Sequence, residues 1–198
     1  MIYRICEVFY SLQGEGLLQG LPMIFVRFSE CNLRCSFCDT KYAWEAGAEM
    51  DVDTILETIR LHPCRRVCLT GGEPFLQDLT PLVKTLKNGG YWLAVETNGT
   101  LWQDVMLDWP AVSPKKDAAH LFPRGYDERF RKTAKEFKYV ISDESDLEFI
   151  DRGLACSVIL QPVDNSPEAA ALIADYLQQN PDREWYLRLQ LHKILQIK

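Results

Sequence analysis

The sequence predicts one α/β domain over residues 1–198, built on a parallel sheet with crossover helices. Short apolar runs rich in β-branched and aromatic residues alternate along it with stretches whose apolar residues recur at helical spacing. Polar loops follow the runs, and the candidate chemical residues gather in them, at 27–40, 70–74, 96–98, 113–116 and 161–164. In parallel α/β folds ligand sites form at the carboxyl ends of the strands, so these loops are expected on one rim. A chain of this length suffices for one domain that buries about 70% of its unfolded surface.

Residues 2–10 mix β-branched, aromatic and polar types and read as a first strand, with a turn at Ser11-Leu12-Gln13-Gly14-Glu15-Gly16. Residues 23–28 are a short apolar strand behind Pro22 whose end delivers a cysteine-rich loop. Asp51 caps a helix with an apolar stripe of Val52, Ile55, Leu56 and Ile59. A buried strand at 66–69 runs into Thr70-Gly71-Gly72-Glu73-Pro74. Leu79, Leu82, Val83 and Leu86 mark the next helix, stopped by Asn88-Gly89-Gly90. The strand at 91–95 ends in Glu96-Thr97-Asn98-Gly99, and Ala111-Val112 lead into Ser113-Pro114-Lys115-Lys116. Residues 117–133 show no clear pattern. A strand at 137–141, a short helix at 147–152 and a strand at 156–160 follow. Ser166-Pro167 opens a helix running to about Gln179, and 185–189 is the last strand.

Net charge is −6 and the basic residues are scattered, which disfavours a nucleic-acid partner, since phosphate binding needs clustered Lys and Arg. Arg4 and Glu7 interrupt the opening apolar residues, so no signal-peptide h-region is expected there. No run of 18 apolar residues offers a membrane span. Seven cysteines without a paired framework suit a reducing cytoplasm. Cys6, Cys64, Cys68 and Cys156 are scattered and read as small core residues.

The other three stand in Cys31-Asn32-Leu33-Arg34-Cys35-Ser36-Phe37-Cys38. This spacing can wrap three thiolates around a [4Fe–4S] cluster and leave the fourth iron open to a ligand. A structural zinc site needs four ligands, and no His or Cys follows Cys38 until His62. The polar flanks Asn32, Arg34, Ser36 and Asp39 argue against a core strand. His62, His120 and His192 are too dispersed to suggest a nucleophilic or metal constellation.

The cysteine spacing, with Phe37 before the last Cys, resembles the signature of radical S-adenosylmethionine (SAM) enzymes, and residues 70–74 resemble their glycine-rich SAM-binding loop. A narrower set resembles the 7-carboxy-7-deazaguanine synthase family: residues 9–16, Phe25-Val26-Arg27-Phe28, Cys38-Asp39-Thr40, Glu96-Thr97-Asn98-Gly99, Ser113-Pro114-Lys115 and Gln161-Pro162. The resemblance runs from about Tyr3 to Lys193. It implies a reduced, partial TIM-type barrel with its active site at the C-terminal ends of the parallel strands. The implied reaction converts 6-carboxy-5,6,7,8-tetrahydropterin to 7-carboxy-7-deazaguanine with loss of ammonia, in queuosine and 7-deazapurine biosynthesis. Its implied cofactors are a [4Fe–4S] cluster, SAM and Mg²⁺. A homodimer and a reductant such as a flavodoxin or ferredoxin are implied as partners.

Under this resemblance Cys31, Cys35 and Cys38 hold the cluster, where one-electron cleavage of SAM yields a 5′-deoxyadenosyl radical. Phe37 reads as packing near the adenine or as a plain core aromatic. Cys38, Asp39, Gly72, Ser113, Pro114, Lys115, Gln161, Pro162, Val163 and Asp164 complete the implied SAM site. Gly71 and Gly72 would let backbone approach a ligand closely, or merely form a tight turn. Leu12, Gln13 and Gly14 suit a pterin edge, with Glu15 taking its 2-amino and ring N–H pair, and Thr70 joins them. Arg27 matches a substrate carboxylate, or else forms a structural ion pair with Glu30 or Asp39. Thr40 is the implied Mg²⁺ ligand. The competing readings are a radical SAM activase that installs a glycyl radical, and a non-catalytic iron–sulfur carrier or zinc module.

Overall fold

Nine strands form one sheet in the computed structural model, which describes residues 1–45 and 47–198. They are β1 (Ile2–Leu12), β2 (Pro22–Phe28), β3 (Ala48–Asp51), β4 (Arg66–Gly71), β5 (Trp92–Thr97), β6 (Trp109–Val112), β7 (Glu136–Ile141), β8 (Ser157–Pro162) and β9 (Trp185–Leu187). Their order is β3-β1-β2-β4-β5-β6-β7-β8-β9, with parallel pairing from β2 through β9. The helices are α1 (Val52–Arg60), α2 (Thr80–Asn88), α3 (Phe130–Thr133), α4 (Glu144–Phe149), α5 (Pro167–Gln179) and α6 (Leu191–Leu195).

The sheet departs from the expected all-parallel pattern at one edge, where β1 runs antiparallel to β2 and β3. The loop between β1 and β2 is too short to cross over, and the bonds Gln13 N→Leu21 O (2.8 Å) and Gly20 N→Gln13 O (2.8 Å) close it on itself. β3 has no β-branched residue and no clear alternation, and it forms by pairing with β1. The fourth helix begins at Glu144 rather than 147, because Asp143 and Asp146 make a reciprocal capping box, and it stops at Phe149 before extended Ile150. The last strand is three residues long, not five.

Side-chain alternation divides the sheet into two layers. Ile24, Val26, Phe28, Val67, Leu69, Leu93, Val95, Phe137, Tyr139, Ile141, Val158 and Leu160 point outward and pack on Ile55 and Ile59 of α1, Leu82 and Leu86 of α2, Leu147 of α4 and Ile173 of α5. Each such side chain, fully buried, contributes roughly 1.5–3 kcal/mol. The opposite parity points inward. Phe25, Cys68, Ala94 and Trp109 are register partners in turn across β2, β4, β5 and β6, and with Met23 and Leu18 they make an apolar floor. Two residues further along, the same parity carries Arg27 opposite Thr70, then Glu96, and on β7 and β8 Lys138 and Gln161. A polar layer therefore lies directly above the apolar floor.

The two ends of the sheet are bridged over this interior. Leu191 N donates to Gly14 O (2.8 Å) and Leu17 N donates to Glu136 Oε2 (2.7 Å), which makes the sheet an incomplete barrel. No α-helix intervenes between β5 and β6 among the described residues, and between β6 and β7 there are only a 3-10 turn at Lys116–Ala118 and the single-turn α3. The segment at 117–133 takes the missing helix's place. Its Tyr126 and Phe130 are buried, and Tyr126 donates to Asp151, whose carboxylate also pairs with Arg124 and Arg131.

Candidate active site

The polar layer and the loops above it enclose a cavity of about 240 Å³. The loop after β2 delivers the cysteines. Glu30, at φ 70°, turns the chain out of the strand, and its backbone is pinned by Ala43 O (2.7 Å) and by Glu73 N donating to its carbonyl (2.8 Å). Cys31, Cys35 and Cys38 then line the cavity together, packed around Leu33 and Ala118. Phe37 is 41% exposed on the same wall, 5.8 Å from the Lys115 ammonium, so it is no core aromatic. Leu12, Gln13, Gly14, Glu15, Arg27, Asp39, Thr40, Thr70, Gly72, Ser113, Lys115, Gln161, Val163 and Asp164 line it too. Pro114 and Pro162 are not part of the wall.

Gly71 and Gly72 owe their lack of side chain to neighbouring backbone. A Cβ on Gly72 would stand 1.8 Å from Glu30 O, and one on Gly71 2.2 Å from Phe28 O. The glycines let the β4 loop lie flush against the cysteine loop, while Gly72 still faces the cavity. Buried Glu73 fastens this loop to the next. Its carboxylate accepts from the Thr97 hydroxyl (2.8 Å), Asn98 N (2.7 Å) and Phe75 N (3.1 Å).

Arg27 has a different ion-pair partner from those expected. Its Nε donates to Glu7 Oε1 (3.0 Å), whereas Glu30 pairs with Arg4 and Asp39 with Lys193. Phe9 and Tyr42 flank the guanidinium. Glu15 is more heavily engaged than the sequence suggests. It accepts from Gln161 (3.1 Å) and Gln190 (2.8 Å) on Oε1 and from Lys138 on Oε2, filling three of about four lone-pair sites. Burial alone would raise its pKa, yet Lys138 and these donors hold it well below the usual carboxylate range. Glu96 is freer, with one bond to each oxygen, from Gln13 (3.2 Å) and Thr70 (2.8 Å).

Comparison with known proteins meets this geometry. The model of the radical SAM superfamily matches residues 25–132. The chain is 37% identical over 198 residues to the 7-carboxy-7-deazaguanine synthase of Bacteroides thetaiotaomicron, covering all of both chains. It is 35% identical to that of Haemophilus influenzae, covering 99% of this chain and 94% of the relative. The crystal structure of QueE from Escherichia coli superposes with a TM-score of 0.81 at 28% identity, over 97% of this chain and 95% of that one. The chain belongs to the 7-carboxy-7-deazaguanine synthase family. It is a radical SAM enzyme of the lyase type, and the activase and electron-carrier readings are not favoured.

The donors fit the cofactors of this family. Three free thiols face one cavity, and no fourth cysteine shares its wall among the described residues. Cys31 Sγ already accepts from Leu33 N (3.4 Å) and Asn98 Nδ2 (3.9 Å), bonds suited to a thiolate. Burial pushes the Cys31 and Cys35 thiols up, the latter to about 11, so cluster ligation must release their protons. Lys115 spends one N–H on Ser113 Oγ (2.6 Å), which leaves two for a carboxylate such as that of SAM. Of the scattered cysteines, Cys64 and Cys68 are buried as expected, but Cys6 and Cys156 are partly exposed.

Several wall residues escaped the sequence reading, whereas Glu96 belongs to the polar stretch at 96–98 that it marks. Lys138 sits among apolar residues of β7, and that interruption is the signal that would have found it. Gln190, His192, Lys193 and Lys198 arrive from the end of the chain and carry no local signal. His192 is therefore not isolated. Its ring fills the space that a Gly14 Cβ would take, and its nitrogen lies within 4.8 Å of Glu15 and Asp39 oxygens. Lys198 reaches the rim, where its carbonyl accepts from Ser11 (2.5 Å) and its ammonium pairs with Glu7 (2.7 Å).

Proposed function

We infer that this chain converts 6-carboxy-5,6,7,8-tetrahydropterin to 7-carboxy-7-deazaguanine with loss of ammonia. The observation that carries the reading is the polar inner layer of Arg27, Thr70 and Glu96, with Glu15 from the loop after β1, lying beside a three-cysteine loop in one cavity. Cys31, Cys35 and Cys38 would hold the [4Fe–4S] cluster, and Lys115, Ser113, Gly72, Phe37, Asp39, Gln161, Val163 and Asp164 would surround SAM. Bound together, cluster and SAM supply a carbon-centred radical by reductive cleavage of the C5′–S bond.

The protein's own part is positioning and exclusion of water. Glu7 engages Arg27 through Nε alone, so the terminal nitrogens are free to take the substrate carboxylate. Glu96 keeps a lone pair on each oxygen, which suits it better than the crowded Glu15 to the paired 2-amino and ring N–H donors. Leu12, Gln13 and Gly14 would border the ring. Thr40 donates its proton to Asp39 Oδ1 (2.9 Å), which leaves its oxygen lone pairs for Mg²⁺, with substrate oxygens and water completing the shell. A flavodoxin or ferredoxin reductant, a homodimer and a cytoplasmic location are carried by the family resemblance, and seven unpaired cysteines agree with a reducing compartment.

The test is anaerobic reconstitution with iron, sulfide, SAM, Mg²⁺ and a reductant, followed by addition of the carboxypterin. Wild type should release ammonia and 7-carboxy-7-deazaguanine, and Cys35→Ala should bind no cluster and form none. Reconstituted wild type that cleaves SAM but leaves the pterin untouched would overturn the reading.

A further inference from the structure

Lys138 is an unusual residue for the middle of a buried strand. It stands on β7 between Phe137 and Tyr139, and only 10% of its side chain is exposed. Parity turns it inward, into the cavity, where it sits against Glu15 and has Glu96 Oε1 at 3.7 Å. An ammonium has three N–H donors. Glu15 takes one, and the Glu96 contact is too long for a hydrogen bond, so two donors are unsatisfied by protein among the described residues. These donors face the cavity, so a ligand that displaces its water must supply an acceptor in the water's place. Beside it, Glu96 offers two free lone pairs.

The two residues together present donor, acceptor, acceptor in sequence. The complementary ligand edge reads acceptor, donor, donor, as in a lactam carbonyl, its ring N–H and a neighbouring amino group. We propose that Lys138 donates to the 4-oxo group of the substrate ring and, with Glu96, sets the pocket's choice of a 2-amino-4-oxo heterocycle over a 2,4-diamino one. The proposal rests on the pterin reading of this site and assigns the discriminating residues within it. Burial alone would lower the Lys138 pKa, but Glu15 and Glu96 raise it above the ordinary value, so the group stays a donor and never an acceptor. A 4-amino group would meet it donor against donor, and the diamino ring nitrogen, which carries no N–H, would meet Glu96 acceptor against acceptor, so both residues reject the diamino ring.

Anaerobic calorimetry with 6-carboxy-5,6,7,8-tetrahydropterin and its 2,4-diamino counterpart tests this in wild type, Lys138→Met and Lys138→Gln. Wild type should prefer the oxo compound by roughly a hundredfold or more. Lys138→Met should lose about tenfold or more in oxo affinity, and its preference should fall by about tenfold or more, the part that Glu96 sets remaining. Lys138→Gln keeps a hydrogen bond to Glu15 while its amide can either donate or accept, so it should bind the diamino compound better than wild type does. SAM affinity should stay within about twofold in both variants. An undiminished preference in either variant, or SAM affinity lost by the same factor, overturns the role of Lys138. Wild type that binds neither compound overturns the pterin reading, and this inference with it.

Discussion

Replacing Gly72 with alanine should push the cysteine loop off the sheet. An added Cβ would lie 1.8 Å from Glu30 O, and an ordinary carbon–oxygen contact is about 3.3 Å, so the segments must part by roughly 1.5 Å. Two backbone bonds join them there, Gly72 N→Phe28 O at 3.0 Å and Glu73 N→Glu30 O at 2.8 Å. A shift of that size breaks the second and strains the first. Each is worth about 1 kcal/mol, and overpacking adds about 1–3 kcal/mol, for a total of about 3–5 kcal/mol. For a chain of this size, that is a Tm lower by roughly 6–20 °C. Anaerobic scanning calorimetry of the cluster-free protein reads the stability, and iron and sulfide per chain after reconstitution read the loop. Gly20→Ala is the control. It has open space around the added Cβ, and with φ at +87° it should cost only about 1–2 kcal/mol of backbone strain. Gly72→Ala with an unchanged Tm and a full iron content would refute the packing argument.

Arg27→Ala should weaken the carboxypterin by roughly tenfold or more and leave SAM affinity alone, since a charged hydrogen bond is worth about 1.5–3 kcal/mol; equal losses for both ligands would make Arg27 structural. Thr40→Val should erase the mutual tightening of Mg²⁺ and carboxypterin, measured by titrating each with and without the other, and intact coupling would place the metal elsewhere. Burial lifts the Glu73 pKa from 4.5 to about 7 against the pull of its Asn98, Thr97 and Phe75 hydrogen bonds. Because the folded pKa lies above the unfolded one, its contribution is complete below about pH 4.5 and is lost as pH rises through about 7, up to about 3 kcal/mol. Urea denaturation across that window should show a smaller decline for Glu73→Gln than for wild type, and parallel curves would contradict the shift.

Much of the fold was legible because its signals are local. Asp51 caps α1 by accepting from Thr54 N, Ser166 with Pro167 opens α5, and the strands β4, β5, β7 and β8 appear as apolar runs of the right length. The cysteine loop was legible for the same reason, as its ligands lie within one short segment. Local signals fail where structure depends on a distant partner. β3 exists by pairing with β1, and Tyr126 is buried by what surrounds it rather than by any period in residues 117–133. Site composition divides along the same line. Alternation on each strand determines that Arg27, Thr70, Glu96, Lys138 and Gln161 face inward, and so lies in the sequence by itself. Which of them meet is set by strand order and register. Only the tertiary fold places Gln190 at 2.8 Å from Glu15 across 175 residues, because Leu191 N donates to Gly14 O and holds the segment after β9 against the loop after β1.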